Sequence, residues 1–151
     1  MESKNDHSFM SKNFTIHYNP FVYIKDENDI ISMSKIWIEY TNGDKMAGSR
    51  GEYDFPELFL LASIIAYVWE NNSTESKNLE EVMKVLNDIC ENGFDKLRNM
   101  NSDSITFNFY TKFREACPDT AEKALMISLS MRLCIILELW KEKFKNSNDW
   151  H

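Results

Sequence analysis

The run Leu58-Phe59-Leu60-Leu61-Ala62-Ser63-Ile64-Ile65-Ala66-Tyr67-Val68-Trp69 is apolar nearly all the way round a helix. It is too short for the ~20 residues that cross a bilayer, so it belongs at the centre of a helical core with neighbours on several sides. Asp54 precedes it as an N-cap, with Phe55, Pro56 and Glu57 in the first turn, where proline is tolerated. Only 4 Gly and 3 Pro punctuate the 151 residues, which favours helices over a many-stranded β fold. The sequence predicts an all-α fold, a compact helical bundle of about five to seven helices. One domain over 14–145 is expected, with polar tails at 1–13 and 146–151.

The helices around that run follow from spacing and caps. Asp26 is an N-cap, and Ile30, Met33, Ile36, Trp37 and Tyr40 mark one face of a helix that closes near Asn42-Gly43. Asn78, with Glu81 at the capping-box position, starts a helix with inner face Leu79, Val82, Met83, Leu86, Ile89 and Cys90, stopped by Gly93. Phe94, Leu97 and Met100 suggest a short helix. Ser104 caps a segment with Ile105, Phe107, Phe109, Tyr110 and Phe113, whose alternation also permits a strand. After Pro118-Asp119-Thr120 comes the longest helix, from about Ala121 to Phe144, on the spacing Leu125, Leu129, Arg132/Leu133, Ile136 and Leu139/Trp140. Ahead of these, Phe14, Ile16 and Tyr18 alternate like a short strand. They lead into His17–Ile24, an extended N-terminal aromatic arm in which Pro20 bars a helix and pushes Asn19 toward extended backbone.

Charge and chemistry narrow the function. With 24 Asp+Glu against 17 Lys+Arg, the net charge of -7 leaves little direct nucleic-acid affinity to expect. Cys90, Cys117 and Cys134 are odd in number and lack Cys-x-x-Cys spacing, as reduced structural thiols in a cytoplasmic setting would be. Glu2 to His7 lead into no apolar signal core, and no membrane contact is expected. His7, His17 and His151 are scattered, so no metal site and no His-centred catalytic pair is expected. Glu80/Glu81 and Glu138/Glu142 belong on solvent faces, and Cys117, just before Pro118, has no paired base. The segment Asp44–Gly51 lacks the Gly-x-x-x-x-Gly-Lys-Ser/Thr phosphate cradle. No catalytic residue and no cofactor emerges, and binding falls to the polar connections 42–53, 70–77 and 92–103. Within them Lys45, Arg50, Lys77, Lys96 and Arg98 are the substrate-binding candidates, on exposure and charge alone.

The order of these motifs also resembles a known family. Tyr18-Asn19-Pro20-Phe21-Val22-Tyr23-Ile24, followed by Lys25 and an acidic helix start, resembles the beginning of the all-α domain of type IV secretion coupling proteins, the TraG-family ATPases of conjugative elements. Phe55 to Trp69 resembles that domain's apolar helix, and Asn78-Leu79-Glu80-Glu81-Val82-Met83 resembles its Asn-Phe-x-x-Val-Met helix. Tyr110 to Leu133, with Phe113, Ala121-Glu122-Lys123 and Met131-Arg132-Leu133, resembles its exit helix, so the match runs in order over residues 14–137. The resemblance implies a substrate-recognition domain that crowns a hexameric motor at the cytoplasmic face of the cell membrane. Its implied partners are a relaxase or relaxase–DNA complex, other secreted protein cargo, and the rest of the coupling ATPase. The family's nucleotide-binding motifs, which flank this domain, are absent here, so the chain is expected to act as an excised domain or lone remnant without ATPase activity. The alternative reading is an independent helical regulator that binds a partner through a hydrophobic groove, as a viral Bcl-like protein does.

Overall fold

The computed structural model of the protein describes residues 19–42 and 54–145. Six α-helices account for most of them: α1 (Glu27–Tyr40), α2 (Asp54–Asn71), α3 (Leu79–Asn92), α4 (Asp95–Arg98), α5 (Ile105–Ala116) and α6 (Glu122–Lys145). Short 3-10 turns stand at Pro20–Tyr23, Thr74–Ser76 and Asp119–Ala121, and there is no strand among the described residues. The all-α bundle is therefore the observed fold. The strand-like stretch at Phe14, Ile16 and Tyr18, the Gly43 helix end and the 44–51 segment lie outside the described residues.

The apolar run is the hub of the bundle. Leu60, Ala62, Ile64, Ile65, Ala66 and Val68 are completely buried, and α2 packs against all five other helices. A helix apolar on every side needs neighbours on every side, and each fully buried aliphatic side chain contributes about 1.5–3 kcal/mol. The one hydroxyl on its buried surface, Ser63, is satisfied within the helix by donating to the Leu60 carbonyl at 2.7 Å. α5 makes the most extensive contact with α2. It runs back antiparallel to it, because Glu70 reaches the first residues of α5 while Lys112 lies over the Phe59 ring.

Caps decide where the helices begin. Asp26, Asn78 and Ser104 accept from the backbone N–H three residues on, at 3.1, 2.9 and 3.0 Å. Ser104 thereby resolves the helix-or-strand ambiguity of the following segment, since its hydroxyl and Glu70 together satisfy the first amides of a helix. Gly93 ends α3 with φ at +93°, a backbone region that costs other residues steric strain.

Three expectations are corrected. The aromatic arm is not extended over Pro20–Tyr23 but turns once as a 3-10 helix. Proline's fixed φ suits its first position, and the Asn19 side chain accepts from the Phe21 N–H at 3.0 Å. The turn buries Phe21 and Ile24 and leaves Val22 exposed. Tyr40 and Leu139, expected on the inner spacing of α1 and α6, are 49% and 42% exposed, while Thr41 caps α1 beside Asn42, its hydroxyl donating to the carbonyls of Trp37 and Ile38. Cys90 is exposed rather than part of the α3 inner face, which Val85 joins instead.

Ile65→Ala is expected to cost about 2–5 kcal/mol in urea unfolding followed by far-UV circular dichroism. Ile65→Asp should abolish the cooperative transition by burying an unpaired charge. Exposed Ile127→Ala should stay within about 0.5 kcal/mol of the parent.

Candidate functional site

Both ends of α2 are anchored by glutamates, and these anchors place the polar connections. At the N-terminal end Glu57, 3% exposed, sits in the first turn, where the helix dipole favours a carboxylate. Arg132 of α6 donates to it from Nε at 2.8 Å and from Nη2 at 3.3 Å, and Ser128 donates its hydroxyl at 2.7 Å. The same guanidinium donates from Nη1 to the Ile38 carbonyl at 2.8 Å, to Thr41 Oγ1 at 3.0 Å and to Asn42 Oδ1 at 2.7 Å. A cation at the C-terminus of α1 fills orphan acceptors and suits the dipole there. One arginine thus joins α1, α2 and α6.

At the C-terminal end Glu70 takes three donors from α5: the backbone N–H groups of Ile105 at 2.9 Å and Thr106 at 3.0 Å, and the Thr106 hydroxyl at 2.6 Å. With Ser104 accepting from Phe107 N–H, the first-turn amides of α5 are all satisfied. Charge-assisted bonds of this kind are roughly twice as strong as neutral ones. Asn71 adds a contact across the connections, its Nδ2 lying 3.6 Å from Met100 Sδ.

The five sequence candidates divide accordingly. Lys45 and Arg50 lie outside the described residues. Their connection is bounded by Asn42 and Asp54, at the N-terminal end of α2, about 24 Å along the helix from Glu70. Lys77 stands over the Trp69 ring at 5.8 Å and Lys96 over Tyr67 at 5.9 Å, so both border the C-terminal half of α2. Arg98 sits one turn from Asp95 on α4 and is bonded to it, which raises its already high pKa further and keeps it charged. Lys96 also faces Asp88 at 3.9 Å. Lys77 and Lys96 therefore both lie along the C-terminal half of α2, over rings that face different sides of it, Arg98 follows Lys96 on α4, and the first connection starts from the other end of α2.

Other features have simpler roles. Cys117 is buried, and its Sγ donates to the Pro118 carbonyl at 3.3 Å. Burial pushes the thiol pKa up, with Arg114 opposing it, so Cys117 is a packed thiol and not an activated one. Among the described residues no three His, Cys, Asp or Glu side chains are grouped to hold a metal, and no helix is long and apolar enough to cross a membrane. A groove of about 400 Å³ runs between Tyr23-Ile24 and α1, bordered by Asp29, Ser32, Lys35 and Glu39. Sequence reasoning missed Glu57 and Glu70 as anchors. The only available signal was Arg132, a charged residue standing at core spacing in the last helix.

No family model, curated protein or solved structure matches the chain.

Removing one partner of the buried pair, as in Arg132→Met, should cost about 3–5 kcal/mol, and the Glu57→Met/Arg132→Met double variant should recover much of that loss in urea unfolding. With its thiolate disfavoured, Cys117 should react with iodoacetamide more slowly than Cys90 or Cys134 at pH 8, a difference that peptide mass mapping reads directly.

Proposed function

We propose that the protein is a recognition domain that binds protein cargo, of the substrate-selecting kind that the coupling-protein resemblance implies. The observation that carries this reading is that both polar connections meet the C-terminal end of α2: 72–78 leaves from Asn71, the same Asn71 reaches Met100 of 93–104, and Glu70 holds the start of α5 where 93–104 ends. Loops held on a rigid scaffold are where binding residues concentrate. Lys96 and Arg98 keep 42% and 52% of their side chains exposed, and their acidic partners Asp88 and Asp95 are surface groups. Exposed pairs of that kind contribute little to stability, so a partner's carboxylates can replace them at little cost.

In this reading Lys96 and Arg98 meet individual carboxylates of the cargo, which is a relaxase, a relaxase bound to its origin DNA, or another secreted protein. DNA alone is a poor ligand for a chain of net charge -7. The domain works by binding, and any ATP hydrolysis belongs to the rest of a coupling ATPase. The Bcl-like reading needs a continuous apolar trough. The groove on α1 is instead bordered by Asp29, Lys35 and Glu39.

Titration of the full chain with the cognate relaxase, alone and on origin DNA, tests the proposal. Saturable binding that falls about tenfold in Lys96→Glu/Arg98→Glu and weakens with salt is expected. Absence of binding, or binding indifferent to both reversals, would overturn it.

A further inference from the structure

Gly93, the C-cap of α3, is one of two glycines in the chain that follow an asparagine; the other is Gly43, after Asn42. An Asn-Gly step is chemically labile, because a second residue without a Cβ lets its backbone nitrogen reach the asparagine side-chain carbon unhindered. Around Gly93 that approach is open. Asn92 and Gly93 are both exposed, and nothing beyond the chain neighbours lies within 4 Å of where a Cβ on Gly93 would stand. The Gly93 N–H donates to the Ile89 carbonyl at 2.8 Å, but this is the closing bond of the helix, and helix ends fray. Asn42 is placed differently. It is 9% exposed and its Oδ1 accepts from Arg132 at 2.7 Å, which fixes its carboxamide inside the bundle.

We propose that Asn92 is a self-processing deamidation site whose conversion changes the charge around Lys96. When the last turn of α3 opens, the Gly93 nitrogen attacks Cγ of Asn92 and closes a succinimide ring. The Cγ–Nδ2 bond breaks, and Nδ2 leaves as ammonia with the proton that Gly93 gives up. Water then adds to one of the two ring carbonyls and opens the ring. Attack at Cγ gives aspartate, and attack at the backbone carbonyl gives isoaspartate. The carboxyl group formed loses its proton at neutral pH, so the site gains a negative charge. The position of that charge gives the step its consequence. Asn92 Nδ2 donates to Asp88 Oδ1 at 2.7 Å, one turn back on the same face of α3. Aspartate at 92 replaces this bond with two facing carboxylates, at a helix C-terminus where the dipole disfavours negative charge. Lys96 Nζ already lies 3.9 Å from Asp88 Oδ2, so the carboxylate pair draws it in and away from other ligands. Isoaspartate also lengthens the backbone by a methylene where the 93–104 connection begins. The conversion is independent of the recognition reading; only its effect on cargo, through Lys96, rests on that reading.

Ageing the full chain at mildly alkaline pH, followed by proteolytic digestion and mass mapping, tests the step. The peptide that contains Asn92 should convert at least about tenfold faster than the peptide that contains Asn42. Part of the product should be isoaspartate, which direct hydrolysis of the side chain cannot form. Gly93→Ala should slow the conversion, since the added Cβ hinders the attacking nitrogen. Should that variant unfold, the isoaspartate formed by the unaltered chain decides alone. Conversion of Asn92 no faster than that of Asn42, or conversion to aspartate only, overturns the proposal. Asn92→Asp then reads the consequence: limiting acetic anhydride should acetylate Lys96 more slowly, relative to Lys112, than in the unaltered chain. An unchanged ratio overturns the link to Lys96. None of these readouts uses cargo, so a chain that fails to bind a relaxase leaves the conversion standing.

Discussion

Glu57 holds a carboxylate where only 3% of the residue meets solvent, and this is tolerable only because Arg132 stands 2.8 Å away. Taking a charge out of water costs several kcal/mol even after relaxation, and the attraction of a partner offsets this only when geometry is good and further hydrogen bonds fill the remaining sites. Here Ser128 completes the carboxylate, and Ile38, Thr41 and Asn42 take the donors of the guanidinium that face away from it. The result couples residues 75 and 94 positions apart in the chain. It specifies where α6 passes α2 and where α1 stops, which an apolar contact, lacking direction, would specify less sharply.

Glu70 gives the opposite end of α2 the same kind of constraint by capping α5 across 35 residues of chain. Between the two glutamates, the buried aliphatic surface of α2 supplies the stability and the carboxylates supply the register. The polar connections inherit their placement from this frame. Lys77 and Lys96 lie against Trp69 and Tyr67 because those rings project from the far half of the same helix. The proposed recognition end is thus a consequence of how the core is held.

What could be read from the sequence follows the range of the interactions. Asp26, Asn78 and Ser104 act within three residues, so their caps were legible, and the closed apolar circumference of 58–69 announced the central helix. The arm was misread because Pro20 excludes an α-helix without excluding a 3-10 turn, and the Asn19 side chain tips that balance. Cys90 was misplaced because it falls at the edge of the α3 stripe, where one step decides between core and solvent. Glu57, Glu70 and Arg132 could not be paired from spacing, since the contacts exist only once α1, α5 and α6 have folded back on α2. Tyr40 and Leu139 were misplaced as Cys90 was: both fall at the end of the core spacing of their helices, and they are 49% and 42% exposed.

The central claim is that α2 is the element on which the other helices depend. Native-state amide hydrogen exchange reads this residue by residue. The amides of Leu61 to Val68 should be the slowest in the molecule and open only with global unfolding, with those of α5 next and α1 opening earlier. Exchange of the α2 amides before those of α1 or α6 would show that the bundle survives the opening of its supposed hub, and would contradict the account.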